Sequence, residues 1–388
     1  MNGGGLRSLT VKAFELNASE TDKLGPELQT AGLGLFGEIG TLVSALKKKR
    51  RDADAYFGYR AAVLEEIGDV LWYMSAVARR GGTSLVEAAS RAAVRDQFGS
   101  DEIRLGDLEP MDVGRGDEDL FERALLELAG EAGDLTKRLA VGDYRNNPDA
   151  LRGDLIKLLR PLGRASAAAE VSLDEAGWEN VSKTQSRWPI EEKFPPLFDD
   201  DSDPNEQLPR LIRMEVFERE VRGKTFAFQK CNGVIVGDRL TDNHEPEDNY
   251  RFHDVFHLAH AAVLGWSPVL RALLKVKRKS CPKTDENEDG ARAILIEEGV
   301  TTWVFEIARS HQFFANTPEL GFDLLKAVRG FVRGYEPQDL PMWLWERAIL
   351  QGYEVFRRLM RHRRGIVTAD MAKRELRFEC MPEHPKSS

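Results

Sequence analysis

Val63-Leu64-Glu65-Glu66-Ile67-Gly68-Asp69-Val70-Leu71-Trp72-Tyr73-Met74 is the stretch whose reading decides the fold. Its apolar residues recur at 63, 64, 67, 70, 71, 74 and 77, a helical period rather than the alternation of a strand. Glu66 and Asp69 are three apart, Glu65 and Asp69 four apart, so all three carboxylates fall on one side of that helix. They flank the apolar stripe instead of opposing it. Acids crowded at the edge of a core repel one another unless a cation joins them. A hard dication such as Mg²⁺, which takes oxygen ligands and often bridges carboxylates to substrate phosphates, meets that need.

Outward from this helix the pattern stays helical. A preceding helix over about 27–50 carries Leu35, Ile39, Leu42, Val43 and Leu46 as its stripe, with Glu38 and Thr41 on the flank. It ends in Lys47-Lys48-Lys49-Arg50-Arg51, where cations suit the helix dipole. Those cations are read either as a solvated helix end or, through Lys47, Lys48 and Arg51, as contacts to a nucleotide phosphate. The central helix stops at Gly81-Gly82, and Thr83 or Ser84 caps a short helix with Glu87 in capping-box position. Phe36, Trp72 and Tyr73 are expected in the core.

The pattern then repeats. Leu35-Phe36-Gly37-Glu38-Ile39-Gly40-Thr41-Leu42 returns as Leu128-Ala129-Gly130-Glu131-Ala132-Gly133-Asp134-Leu135, and the central helix aligns without gaps with Leu151 to Leu173. In the second copy Asp154 stands for Glu66 and Lys157 for Asp69. Glu131, Asp134 and Asp154 are candidates for a second metal cluster, which Lys157 argues against. Two such units would pack as a pseudo-dimer within one chain.

The paired spacing Glu38-x-x-Thr41 and Glu66-x-x-Asp69, in the contexts quoted, resembles the MazG-like all-α nucleoside triphosphate pyrophosphohydrolases. The family pattern is E-x-x-E followed by E-x-x-D, and Thr41 departs from it. The resemblance implies a mainly α fold of tandem MazG-like units, residues 25–100 near the family pattern and 118–190 degenerate. It further implies hydrolysis of a nucleoside triphosphate to the monophosphate and pyrophosphate. Mg²⁺, or Mn²⁺, would be held by Glu38, Glu66 and Asp69, and Glu65 would orient the attacking water. Related enzymes assemble as dimers or dimers of dimers, so a homo-oligomer or the intrachain pseudo-dimer is expected. The departures at Thr41 and Lys157 motivate a different class: a nucleotide-sensing or partner-binding protein without turnover.

Pro and acidic residues over 191–210 are expected to form a linker, and 211–245 a small β-meander. Residues 249–365 are expected as a further helical domain, and the final two dozen residues carry weak signals. Within that domain His253-Asp254-Val255-Phe256-His257 puts two imidazoles on one helical face, with His260 a turn further on and Glu297-Glu298 on a later helix. Three readings compete there: a remote third copy of the helical unit, an HD-type phosphohydrolase site, and a zinc peptidase site in which Asp254 stands where the motif wants Glu. The basic run Lys275 to Lys279 is read as a solvated helix end.

Composition sets the outer bounds. The 388 residues carry a net charge of −9, which disfavours nucleic acid and anionic membranes as partners. Cys231, Cys281 and Cys380 have no paired spacing, so no disulfide framework or cysteine zinc site is expected and a cytoplasmic setting fits. Met1-Asn2-Gly3-Gly4-Gly5 lacks an apolar signal core, and no apolar run is long enough to span a membrane.

Overall fold

The computed structural model describes residues 8–93, 102–111 and 114–381 and divides into two compact units, Met1–Glu191 and Glu192–Ser388. The Met1–Gly5 lead-in and the last residues of the expected 25–100 unit lie outside the described residues.

The first unit is helical: α1 (Val11–Glu20), α2 (Leu28–Asp52), α3 (Tyr59–Arg80), α4 (Leu85–Ala92), α5 (Glu118–Val141), α6 (Pro148–Ala168) and α7 (Leu173–Arg187). The ends follow the local chemistry. Lys49, Arg50 and Arg51 fill the last turn of α2, Gly82 takes a positive φ after α3, and Ser84 Oγ accepts the Glu87 N–H at 3.1 Å to cap α4. Asp117 caps α5, Asn147 with Pro148 opens α6, and Ser172 caps α7. α2 packs on α3 and α5, α5 on α6, while α7 lies on α3 and α4 on α6. Leu35, Ile39, Leu42, Val63, Ile67, Val70, Leu71 and Met74 meet Leu128, Leu135, Leu151, Leu155 and Leu158 in one continuous core. Trp72 joins it and Tyr73 is half-buried, but Phe36 is 46% exposed because it faces away from the Leu35–Ile39–Leu42 stripe.

The second unit packs helices against one face of a five-stranded antiparallel sheet. It comprises β1 (Leu211–Val221), β2 (Lys224–Cys231), β3 (Val234–Ile235), α8 (Asp254–Ala259), α9 (Pro268–Leu274), α10 (Pro282–Asn287), α11 (Ala291–Ser310), α12 (Phe322–Phe331), α13 (Met342–His362), β4 (Arg364–Asp370) and β5 (Glu375–Glu379). The strand order is β3-β2-β1-β4-β5. Alternate residues Ile212, Met214 and Val216 of β1 point inward with Val367 and Ala369, and share their core with Phe256, Trp266, Trp345 and Phe356 from the helices.

Three expectations change here. The 211–245 segment is no separate meander: β1 pairs with β4 from Leu211↔Asp370 to Phe217↔Arg364, so the weakly patterned tail completes the sheet. The 191–210 stretch is packed, because Asp199 is fully buried and accepts from the Leu208 N–H and from Arg210 and Arg271. The basic run after α9 is not a solvated helix end either. Lys275 turns left-handed and stops α9, and Arg278 is buried between Asp289 (2.7 Å) and Glu336 (2.7 Å).

Candidate functional site

α2 and α3 together bring Glu38, Glu66 and Asp69 into one cluster, with a carboxylate oxygen from each within 4.8 Å of the others. All three are half-buried. The Thr41 hydroxyl donates to Glu66 Oε2 at 2.5 Å and lies 2.7 Å from the Glu38 carbonyl oxygen, so the residue standing where the pattern wants an acid instead orients one. The electrostatics are those of under-compensated acids. Burial, then repulsion from Asp69 and Glu66, pushes Glu38 up to about 7. Burial raises Glu66 as well, against the pull of the Thr41 hydrogen bond. Burial also raises Asp69, although an ammonium touches it.

That ammonium is Lys183 of α7. It pairs with both Asp69 oxygens, 2.6 Å from Oδ2, and sits 3.6 Å from Glu65 Oε1; Asn180 Nδ2 donates to Asp69 Oδ1 at 2.7 Å. Sequence reasoning did not find Lys183 or Asn180, which lie more than a hundred residues from Asp69 along the chain. A glycine offered the signal. A Cβ at Gly68 would lie 2.6 Å from the Ala176 carbonyl oxygen and 2.9 Å from Asn180 Cβ, so only glycine lets α7 come close enough to reach Asp69.

The remaining expected residues of this unit lie elsewhere. Lys47, Lys48 and Arg51 follow Glu38 by roughly 13–20 Å along the α2 axis, and Lys47 falls on the opposite face. Arg51 pairs with Asp52 at 2.6 Å and its neighbour Arg50 with Glu122 at 2.7 Å. Among the described residues, Glu131, Asp134 and Asp154 form no acidic trio. Asp154 is buried among Arg138, Lys157 (3.0 Å) and the Tyr144 hydroxyl (2.6 Å), while exposed Asp134 pairs with Lys137 at 3.0 Å. Glu131 is not joined to either acid in a metal-sized group among the described residues. Cations occupy the neighbourhood of Asp154.

In the second unit α8, α9 and α11 meet around Glu297, which is fully buried. His257 and His260, one turn apart on α8 and the π-turn that extends it, bring Nδ1 to 2.9 and 3.1 Å of Glu297 Oε1. The Ser267 hydroxyl and the Val269 N–H donate to Oε2 at 3.1 and 2.9 Å. Against burial, His257 and His260 hold Glu297 down at about 2, and Glu297 and Glu298 in turn raise His257 well above its usual value despite its burial. His253 stacks on Tyr250 with centroids 4.4 Å apart, and its Nε2 lies 3.2 Å from Asp254 Oδ1. Glu298, partly exposed, reaches to 3.5 Å of His257 Nε2. Of the residues expected here, Glu297 thus holds the histidines in place, while His253, Asp254, His257 and Glu298 gather on its outer side. The structure supplies no glutamate near His257 on α8 itself, where a zinc peptidase motif would place its general base.

Residues 193–382 match the family model of the MazG C-terminal domain, which supports the MazG-like resemblance. The match falls on the second unit, whereas the carboxylate spacing that resembles the family lies in the first. No curated protein and no solved structure matches the chain. Among the described residues no helix is long and apolar enough to cross a membrane.

Proposed function

We propose that this protein is a Mg²⁺-dependent nucleoside triphosphate pyrophosphohydrolase whose site is the α2–α3 carboxylate cluster. The observation that carries the reading is the convergence of Glu38, Glu66 and Asp69 with Glu38 held at about 7. Such acids are stabilised by a cation, and the donor set fits one: all ligand atoms are hard oxygens, as Mg²⁺ prefers, with Mn²⁺ the alternative. Glu38, Glu66 and Asp69 would hold it. When bound, the metal would supply an acidified water and charge stabilisation at the phosphates.

The chain's own groups would do the rest. Thr41 fixes the Glu66 carboxylate through its hydroxyl. Lys183 and Asn180 orient Asp69, and the Lys183 ammonium adds positive charge on the side where a triphosphate must approach. Glu65 borders the cluster beside Lys183 and is the group to accept a proton from the attacking water. Tandem units fit the packing: α7 lies on α3 and α4 on α6, the exchange of end helices that two twofold-related hairpins would make. In this reading the second unit pairs with the first as an intrachain pseudo-dimer, and its Asp154 network is structural.

Pyrophosphate release from a panel of NTPs and dNTPs tests the proposal. Release with Mg²⁺ or Mn²⁺, abolished by EDTA, is expected; a folded chain that releases none from any of them overturns it. The Lys183–Asp69 pair and Thr41 favour a second reading, nucleotide binding without turnover, which that negative result with binding intact would support.

A further inference from the structure

We infer that the second unit carries its own transition-metal site, in which His253 Nε2, His257 Nε2 and the Asp254 carboxylate hold a first-row dication of the Zn²⁺ class, with Glu298 at its open side.

The donor atoms of His253, Asp254 and His257 lie within 4.8 Å of one another. Geometry alone does not make such a group a site, but the hydrogen bonds around it do. His257 is fully buried, and its Nδ1–H is committed to the Glu297 carboxylate at 2.9 Å. That leaves Nε2 as its outward nitrogen, and this buried atom makes no hydrogen bond. Its nearest acid, Glu298 Oε1, stands 3.5 Å away, an ion contact and not a hydrogen bond, so the nitrogen and the carboxylate face each other at the edge of the cluster. His253 repeats the arrangement: its Nδ1 is bonded to the Tyr250 carbonyl oxygen at 2.9 Å, and stacking on Tyr250 fixes the ring, so Nε2 again faces the cluster. Asp254 is oriented in turn, because Gln229 of β2 donates to Oδ2 while Oδ1 faces His253. Each ligand is thus aimed by an outer partner: a carboxylate behind one imidazole, a carbonyl behind the other, an amide behind the acid. Outer hydrogen bonds of this kind set the tautomer and orientation of metal-binding side chains.

Charge points the same way. Asp254, Glu297 and Glu298 bring three carboxylates to a pocket whose basic groups are imidazoles. A dication held there would be balanced by these carboxylates. The mixed imidazole–carboxylate donors select borderline metals such as Zn²⁺, in contrast to the all-oxygen cluster of the first unit. Glu298 is 37% exposed at its side chain, so the site opens to solvent on that edge.

The test uses the full chain without a polyhistidine tag, stripped with chelator and re-equilibrated with Zn²⁺, with bound metal counted by mass spectrometry. One tightly retained Zn²⁺ per chain is expected, kept by Glu66→Gln and lost from His257→Gln and His253→Gln. His257 is buried and its variant risks misfolding; His253 lies at the pocket edge, so a folded His253→Gln keeps the test decisive. Co²⁺ in place of Zn²⁺ gives visible d–d bands that must disappear in the same variant. Failure of the folded wild type to retain Zn²⁺, or full retention by folded His253→Gln, overturns the inference. Because Glu66 belongs to the other unit, either result is independent of the pyrophosphohydrolase proposal.

Discussion

The Glu38–Glu66–Asp69 cluster and the Glu297 centre both set carboxylates against an apolar helical core, and they resolve the resulting cost in opposite ways. Glu297 receives two imidazoles, a hydroxyl and a backbone N–H, and the imidazoles drive it down to about 2 against burial. Elsewhere in the same unit Asp199 and Asp242 are buried against arginines, whose contacts, with backbone N–H groups, hold both low despite burial. The first unit offers its trio one ammonium, one amide and one hydroxyl, and all three acids rise. The difference teaches that a buried acid with a full set of donors is architecture, whereas a group of acids left short of positive charge is a place for a cation. Asp154 of α6 makes the same point, since it is surrounded by Arg138, Lys157 and Tyr144.

The strongest way to break the contrast is by activity. Glu66→Gln or Asp69→Asn is expected to lower pyrophosphate release by roughly 100-fold or more, the scale of losing a positioned charge-stabilising group. Asp154→Asn should leave kcat within a few-fold while costing about 1–3 kcal/mol of stability, because the buried carboxylate that pairs with Arg138 and Lys157 loses its charge. Equal losses from the two copies would remove the distinction between them.

Stability gives opposite signs for the same chemical change. Glu297→Gln strips charge from a fully donated carboxylate and should destabilise the second unit by about 3 kcal/mol or more in calorimetry. Glu66→Gln relieves repulsion and should raise the metal-free melting temperature of the first unit. A fall in both would contradict the account.

Proton linkage sharpens it further. Glu38 sits at about 7 when folded against an ordinary value of 4.5, so its contribution is present below about 4.5 and lost as pH rises through 7. The metal-free melting temperature of the first unit should therefore fall between pH 6 and 8. Mg²⁺ should stabilise the chain more at pH 8 than at pH 6, since it replaces protons at the trio. The depressed acids of the second unit act in reverse. Asp199, Asp242 and Glu297 stabilise above their ordinary carboxylate range and lose that contribution only in strong acid. A Mg²⁺ effect independent of pH would count against the shared-cation picture.

The smallest effect concerns Lys183. Lys183→Gln removes a cation that competes for Asp69, so Mg²⁺ should bind about fivefold more tightly, on the order of 1 kcal/mol. Isothermal titration measures it; weaker binding would mean that Lys183 supports the metal rather than substitutes for part of its charge.

How much of this the sequence disclosed follows the range of each interaction. Glu38, Glu66 and Asp69 were legible because helical periodicity places Glu66 and Asp69 one turn apart, and the Leu35–Leu46 stripe orients Glu38 toward the same seam. The Ser84 cap and the ends of α3 and α11 were legible for the same local reasons. Lys183 and Asn180 were not, since nothing near them in sequence marks a partner on α3; the one trace is Gly68. β4 and β5 escaped because their pattern is short and flanked by charge, and their pairing depends on β1 far upstream. Phe36 was misplaced because a large apolar side chain on a helix flank need not turn inward. Arg278 was taken for a solvated cation because Asp289 and Glu336 come from segments that only the fold assembles.

The central claim is that acids from α2 and α3 share a dication that receives a polyphosphate. Anomalous diffraction from crystals grown with Mn²⁺ and a non-hydrolysable triphosphate tests it most directly. The account predicts a Mn²⁺ peak bonded to Glu38, Glu66 and Asp69, with phosphate oxygens completing its shell. A triphosphate bound elsewhere, with no ion among these three carboxylates and Lys183 still closed on Asp69, would contradict it.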